Sequence, residues 1–265
     1  MCADKMTIGL TDKQANNILN QKITRPVELF LLFWVDEDDP GRKMFSESAQ
    51  TRMRNIKNSS WYNENIHKVH CPPIQAIHEI KTITTAWIDK YGGGDKAHIR
   101  EIGVFSHAAL DGPISVYTAN IPSVSDCKCQ MDIPNGWDAI DFNWAKENAI
   151  CVFYGCNSGH KDGFSQKISA LSNFKNVMIW GQSTSTFPSF FPDKRKTTLD
   201  RSYDFCLDIG WDAGPTYMVG GNDKEGYSAV ISGIGVDVNP LNFFMNGKYK
   251  GTSHQGVFND HRNKK

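Results

Sequence analysis

Four short apolar runs, spaced widely along the chain, constrain its fold more than any other feature. They are residues 27–36, 99–106, 149–154 and 177–180. Each is apolar without strict alternation, the pattern of a strand buried on both faces. Between the first two runs, Ile74, Ile77, Ile80, Ile83, Trp87 and Ile88 recur at three- and four-residue steps and predict a helix over 72–91. Prolines stand at its start, where a missing N–H does no harm, and Gly92-Gly93-Gly94 ends it. Residues 137–149, with Trp137, Ile140, Phe142 and Trp144, and 164–174, with Phe164, Ile168, Leu171 and Phe174, read as two further helices. Strand and helix in alternation predict an α/β, three-layer sandwich. Its central sheet would be mostly parallel, with helices on both faces and right-handed crossovers.

The rest of the chain is read as one domain over 1–265, with a core over 23–181. Beyond Gly181 the residues Gly, Pro, Ser, Thr and Asp become frequent, with short apolar pieces at 217–219 and 228–238. Residues 182–265 are therefore expected to supply loops and strands that complete the sheet and the cleft. A short polar helix is expected over 11–22 and a short strand over 115–118. The polar stretch 41–71, rich in Asn and Ser, is expected to form loops with at most one short helix.

Size and charge exclude several classes. A chain of 265 residues buries roughly 70–75% of its unfolded surface and needs no covalent staples. Lysine plus arginine number 29, and so do aspartate plus glutamate; a balanced charge argues against nucleic acid or an anionic membrane as a general partner. No apolar stretch reaches the roughly 18 residues of a membrane span. Residues 1–10 lack the charged-then-apolar pattern of a cleaved signal, so a cytoplasmic protein, or one exported without such a signal, is expected. The seven cysteines are odd in number and irregularly spaced, which points to free thiols. Cys127 and Cys129 lack a second matching pair for zinc. His67, His70 and Cys71 crowd together, and a solvated loop is the plainer reading there than a metal site.

Ligand sites of open parallel sheets lie at the carboxyl ends of the strands. Two reactive residues stand at such ends. His107 closes the run 99–106, and Cys156 closes the run 149–154 one glycine later. Neighbouring strands would let an imidazole manage the proton of a thiol, the basic need of cysteine catalysis. Gly155, Asn157, Ser158 and Gly159 around Cys156 would let a substrate backbone approach and leave N–H groups for an oxyanion. Gln182 and Ser183, past the fourth run, face the same rim and are candidates for lining a cleft. Asp111 is a weaker candidate for a basic substrate group, and the acidic cluster 36–39 reads as a solvated loop before it reads as a cation or substrate site. His160 reads as a residue on a turn beside the site; His254 and His261 would serve only a cysteine-first arrangement. No Gly-x-Ser-x-Gly elbow and no phosphate loop is present.

An apolar strand ending in Ser106-His107, then 49 residues to a cysteine that ends another strand, resembles the caspase-type cysteine peptidases, a group that includes caspases, metacaspases and gingipain-like enzymes. Cys156-Asn157-Ser158-Gly159 is similar to the Cys-x-Ser-Gly of metacaspases, and Ser106-His107 resembles the start of a Ser-His-Gly motif whose glycine is Ala108 here. The resemblance covers about residues 27–181. It implies a caspase-like fold, Cys156 as nucleophile, His107 as general acid/base, and backbone N–H groups near Ala108 and of Cys156 as oxyanion donors. It implies a peptide or protein substrate, an acyl-enzyme and no cofactor. Two alternatives accompany it. One is an exported bacterial effector with the same dyad, which an inhibitor or immunity protein would accompany. The other is a caspase-like binding module without activity.

Overall fold

The computed structural model describes residues 25–38, 41–116, 130–189, 191–195, 215–221 and 236–258. The expected helix over 11–22 lies outside them, as do most of 228–238 and half of 115–118. Strand β1 runs over Val27–Val35, β2 over His67–His70, β3 over Pro73–Ile74 and β4 over Ala97–Phe105. The short strands β5, Ala108–Ala109, and β6, Gly112–Pro113, follow. Next come β7, Ile150–Phe153, and β8, Met178–Gln182. Then come β9, Thr186–Ser189, β10, Lys194–Arg195, and β11, Tyr217–Gly220. Last are β12, Val236–Asp237, β13, Leu241–Met245, and β14, Lys248–Ser253.

The four apolar runs are β1, β4, β7 and β8, and they sit side by side. The main sheet has the order β14-β13-β8-β7-β4-β1-β2, with β3 also paired to β1. Strands β2, β1, β4, β7 and β8 are mutually parallel, whereas β13 runs antiparallel to β8 and β14 antiparallel to β13. The sheet is thus mixed, and its parallel part steps outward in both directions from β1 and β4. That is the doubly wound arrangement, whose crevice lies beyond the strands' carboxyl ends where the order reverses.

Helices cover both faces. Helix α1 spans Gly41–Lys57 and puts Arg52 on Glu101 of β4. That face also carries the stacked rings of Phe105 and Tyr154, 4.1 Å apart. On the other face α3, Phe164–Ser169, sets Phe164 edge-on to Phe153 at 4.9 Å, and Trp137 closes on the same Phe153 at 5.3 Å. Ile77, the first residue of α2, Ile77–Lys90, reaches Gly136 beside that tryptophan. Leu29, Leu31, Phe33, Ile102, Val104, Val152 and Ile179 are fully enclosed between the layers. Among the described residues no helix is long and apolar enough to cross a membrane.

Several elements differ from expectation. Helix α2 begins five residues later than the periodicity predicts, because Pro73 and Ile74 pair with Trp34 and Val35 of β1. Its end is as read: Gly92, at φ 102°, takes the left-handed turn, and the N–H groups of Gly92 and Gly93 close on the carbonyls of Asp89 and Ile88. The stretch 137–149 is no helix. It makes one 3-10 turn, Trp137–Ala139, and then extends so that Trp144 bridges Ile99. Asn143 sits at φ 46°, and its amide serves the carbonyls of Gly94 and Ala97, holding the chain out of helical geometry. The stretch 164–174 is shorter than expected, with α3 ending at Ser169 and a separate 3-10 turn at Ser172–Phe174. Conversely, α1 replaces the loops expected in 41–71. Its inward positions are Phe45, Ser48, Ala49, Arg52, Asn55 and Ile56, so the helical period is carried largely by polar residues.

Candidate active site

The carboxyl ends of the adjacent parallel strands β4 and β7 form the rim. His107 follows β4 by two residues and Cys156 follows β7 by three. Gly155 brings the two strand ends together. A Cβ on it would lie 2.6 Å from the Ser106 carbonyl oxygen and 3.1 Å from the Ala108 backbone nitrogen. Only a glycine admits this approach, so the residues flanking His107 lie directly against the residue before Cys156. The Cys156 backbone N–H donates to no acceptor among the described residues. It and the Ala108 amide border the same turn.

Each reactive side chain has its own partner, and no hydrogen bond joins the two. The His107 Nε2 lies 3.1 Å from Glu37 Oε1, two residues past β1. The ring is half-exposed and stands edge-on to Phe45 of α1, centroids 5.1 Å apart. The hydrogen bond to Glu37 raises the imidazole's pKa above its ordinary value, against a smaller opposing effect of burial. Gly41 makes room for the Glu37 carboxylate, which a Cβ there would overlap. Asp36 is spent on Arg42, Oδ1 to Nε 2.7 Å. Cys156 Sγ accepts the backbone N–H of Thr186 at 3.2 Å and lies 3.3 Å from the Thr186 hydroxyl. Burial pushes Cys71 up to about 12 and Cys151 well above the ordinary thiol value.

The turn Cys156–Gly159 is bound to the segment after β8. The Asn157 N–H donates to Thr184 O and the Gly159 N–H to Gln182 O. Asn157 adopts φ 55°, a left-handed conformation that asparagine tolerates. Ser158 is interior, its hydroxyl donating to the Phe153 and Gly155 carbonyls and accepting the Gln182 N–H.

Two of the residues expected to line a cleft are otherwise occupied. Gln182 is fully buried; its amide exchanges hydrogen bonds with Gln255 and donates to Met218 O. It clamps β8 to the segments above it, a correction that follows from β8 running two residues further than its apolar letters. Ser183 reaches the rim, but its hydroxyl donates to Pro240 O. Asp111 sits on the exposed turn between β5 and β6. His160 is exposed, its Nδ1 2.8 Å from Lys161 O, and His254 is exposed just past β14, while His261 lies outside the described residues. His67, His70 and Cys71 do not converge: His70 stacks on Trp87 at 4.1 Å and His67 accepts the Asn63 N–H. Among the described residues no group of three or more His, Cys, Asp or Glu is placed to hold a metal ion.

Sequence reasoning reads Glu37 only as part of the acidic cluster 36–39, a solvated loop first, and gives Thr186 no part of its own. Glu37 was legible by the rule that found His107, since it too follows a buried parallel strand at its carboxyl end. Thr186 stands in the stretch 181–186 that follows the fourth run and is expected at the rim, but its contact with Cys156 depends on a pairing between distant segments that no local pattern marks. In comparison with known proteins, no family model, no curated sequence and no solved structure matches this chain.

Proposed function

We propose that this protein is a cysteine peptidase or related amide hydrolase of caspase-like architecture, with Cys156 as nucleophile and His107 as general acid/base. The observation that carries the reading is the abutment of Gly155 on Ser106 and Ala108. It sets a half-buried thiol and a carboxylate-bound imidazole on one rim of the sheet.

The chemistry needs only these groups. The Cys156 sulfur, its proton passed to His107, attacks the substrate carbonyl carbon, and the resulting oxyanion is met by N–H groups of the Cys156 turn and of Ala108. With Nε2 bound to Glu37, Nδ1 is the ring nitrogen that exchanges protons at the cleft. It gives its proton to the leaving amine as the C–N bond breaks, leaving a thioester on Cys156. It then takes a proton from the attacking water and returns it to the departing sulfur as the C–S bond breaks, so that carboxylic acid and free thiol are regenerated. Glu37 supports the protonated ring throughout, the part of the third member in a triad.

The separate hydrogen-bonding of the sulfur and the imidazole favours one other reading, a binding module that keeps the fold without turnover. A peptide-library cleavage profile on the wild type, C156A and H107A separates the two. Cleavage by the wild type, lost in both variants with the fold retained by circular dichroism, is the expected result. Cleavage that persists in C156A ends the peptidase reading, and a wild type that cleaves nothing leaves the binding module.

A further inference from the structure

We infer that Thr186 is a positioning residue that holds the Cys156 sulfur and favours its ionised form, independently of the imidazole. The inference rests on the reading of Cys156 as nucleophile and deepens it.

The placement is built by backbone on both sides. The cysteine turn and the segment after β8 are laddered together, Gly159 N–H to Gln182 O at 2.9 Å and Asn157 N–H to Thr184 O at 3.0 Å. Stepping along that ladder, the next contact is Thr186 against the Cys156 side chain. Thr186 is in turn the first residue of β9 and pairs with Gly220 of β11, while Ser185 O accepts the Gly221 N–H at 2.7 Å. Thr186 is 8% exposed, so neither its amide nor its hydroxyl swings freely into solvent.

Two groups of Thr186 therefore meet one sulfur, and both can donate to it when it is ionised. The backbone N–H lies 3.2 Å from Sγ and the hydroxyl oxygen 3.3 Å. As a thiol the sulfur can donate in turn, to the same hydroxyl at 3.3 Å or to the Thr186 carbonyl at 3.9 Å; once ionised it can only accept. Donors aimed at an ionisable atom favour its anionic form. Among the described residues, His160, Lys161 and Asp162 follow the cysteine turn in sequence, His107 with Glu37 stands at the neighbouring strand end, and β9 carries no ionisable group. His107 makes no hydrogen bond to the sulfur. In the unliganded protein the hydrogen bonds of the sulfur come from Thr186, and proton delivery falls to His107.

The test reads thiol chemistry rather than turnover. The rate of Cys156 alkylation by iodoacetamide is followed against pH on the full chain, with the modified peptide resolved by mass spectrometry. T186V removes the hydroxyl at nearly constant volume. It is expected to slow alkylation about tenfold at neutral pH and to move the profile to higher pH. T186S, which keeps the donor, is expected to match the wild type. Should T186V fail to fold, T186A removes the same group with less bulk and carries the same expectation. An unshifted profile without the hydroxyl, or a T186S profile shifted as far as that of T186V, overturns the inference. A chain that shows the shift but cleaves no amide refutes the peptidase reading alone, and a cleaving chain with no shift refutes the role of Thr186 alone.

Discussion

Replacing Gly155 by alanine tests the contact on which the site depends. The new Cβ would lie 2.5 Å from the Ala108 Cβ, 2.6 Å from the Ser106 carbonyl oxygen and 3.1 Å from the Ala108 nitrogen, where ordinary contact begins at 3.4 Å. Gly155 does not have a left-handed φ, so the penalty is steric and not conformational. Two of the three atoms are backbone and cannot rotate away, so the strand ends must part by roughly 0.8 Å. Overpacking of this kind costs about 1–3 kcal/mol. The displacement falls directly on His107, and a shift approaching 1 Å between cooperating groups costs on the order of 100-fold in rate. The assay is urea unfolding followed by tryptophan fluorescence, with amide hydrolysis and Cys156 alkylation measured on the same samples. Stability and hydrolysis are expected to fall while alkylation, governed by Thr186, changes little. G94A is the comparison, since its Cβ would meet only the Asn143 side chain, at 3.4 Å; it is expected within about 0.5 kcal/mol of wild type. A G155A protein as stable and active as G94A would refute the reasoning.

Two further perturbations address the charges. Because Glu37 raises the His107 pKa above its ordinary 6.5, the pair stabilises the fold fully below that value and ceases to do so as pH rises through the raised one. With the imidazole side chain 53% exposed, screening limits the effect, and E37Q is expected to lose about 0.5–1 kcal/mol near pH 6 and nothing near pH 9; a loss equal at both pH values, read by urea titration, would exclude the pairing. Arg52 holds Glu101 through two hydrogen bonds of 2.8 and 2.7 Å, the side chains 9% and 2% exposed. E101Q takes the carboxylate charge from a buried guanidinium and is expected to cost about 3–5 kcal/mol, whereas the double variant R52M/E101L costs far less. Thermal unfolding of the three proteins checks this, and a single variant no worse than the double would remove the pair from the account.

What could be read in the sequence divides along a physical line. The runs of Leu29 to Phe33 and of Cys151 to Phe153 can be buried only in a sheet covered on both faces, so their pairing was implicit in their composition. The reactive residues followed from the strand ends. Helix α1 was hidden because Ser48, Arg52 and Asn55 stand where apolar residues would mark the stripe, and the charge of Arg52 is met by Glu101, 49 residues away. The stretch after Trp137 misled in the opposite sense. Its aromatic bulk is genuine core, but Asn143 spends its amide on Gly94 and Ala97, a tertiary demand that overrides local spacing. Antiparallel β14 carries little apolar signal of its own, since Lys248, Tyr249 and Lys250 form an exposed edge whose lysines discourage further pairing.

The two halves of the proposed site are held by different parts of the fold. Helix α1 governs the imidazole: its first residue, Gly41, makes room for Glu37, the helix N-terminus favours that carboxylate, and Phe45 packs against the ring. Arg52 on the same helix then fixes its position along β4, the strand that delivers His107. The sulfur belongs to the other half, governed by the ladder between the cysteine turn and residues 182–186. Gly155 is the contact between them. On the proposed mechanism the two halves have no need to share a hydrogen bond before substrate arrives, since the thiol is kept reactive on one side and the proton donor charged on the other. The substrate carbonyl, bound between them, completes the path from sulfur to imidazole. It follows that changes confined to α1 should impair acyl transfer while leaving the reactivity of Cys156 toward small alkylating agents intact.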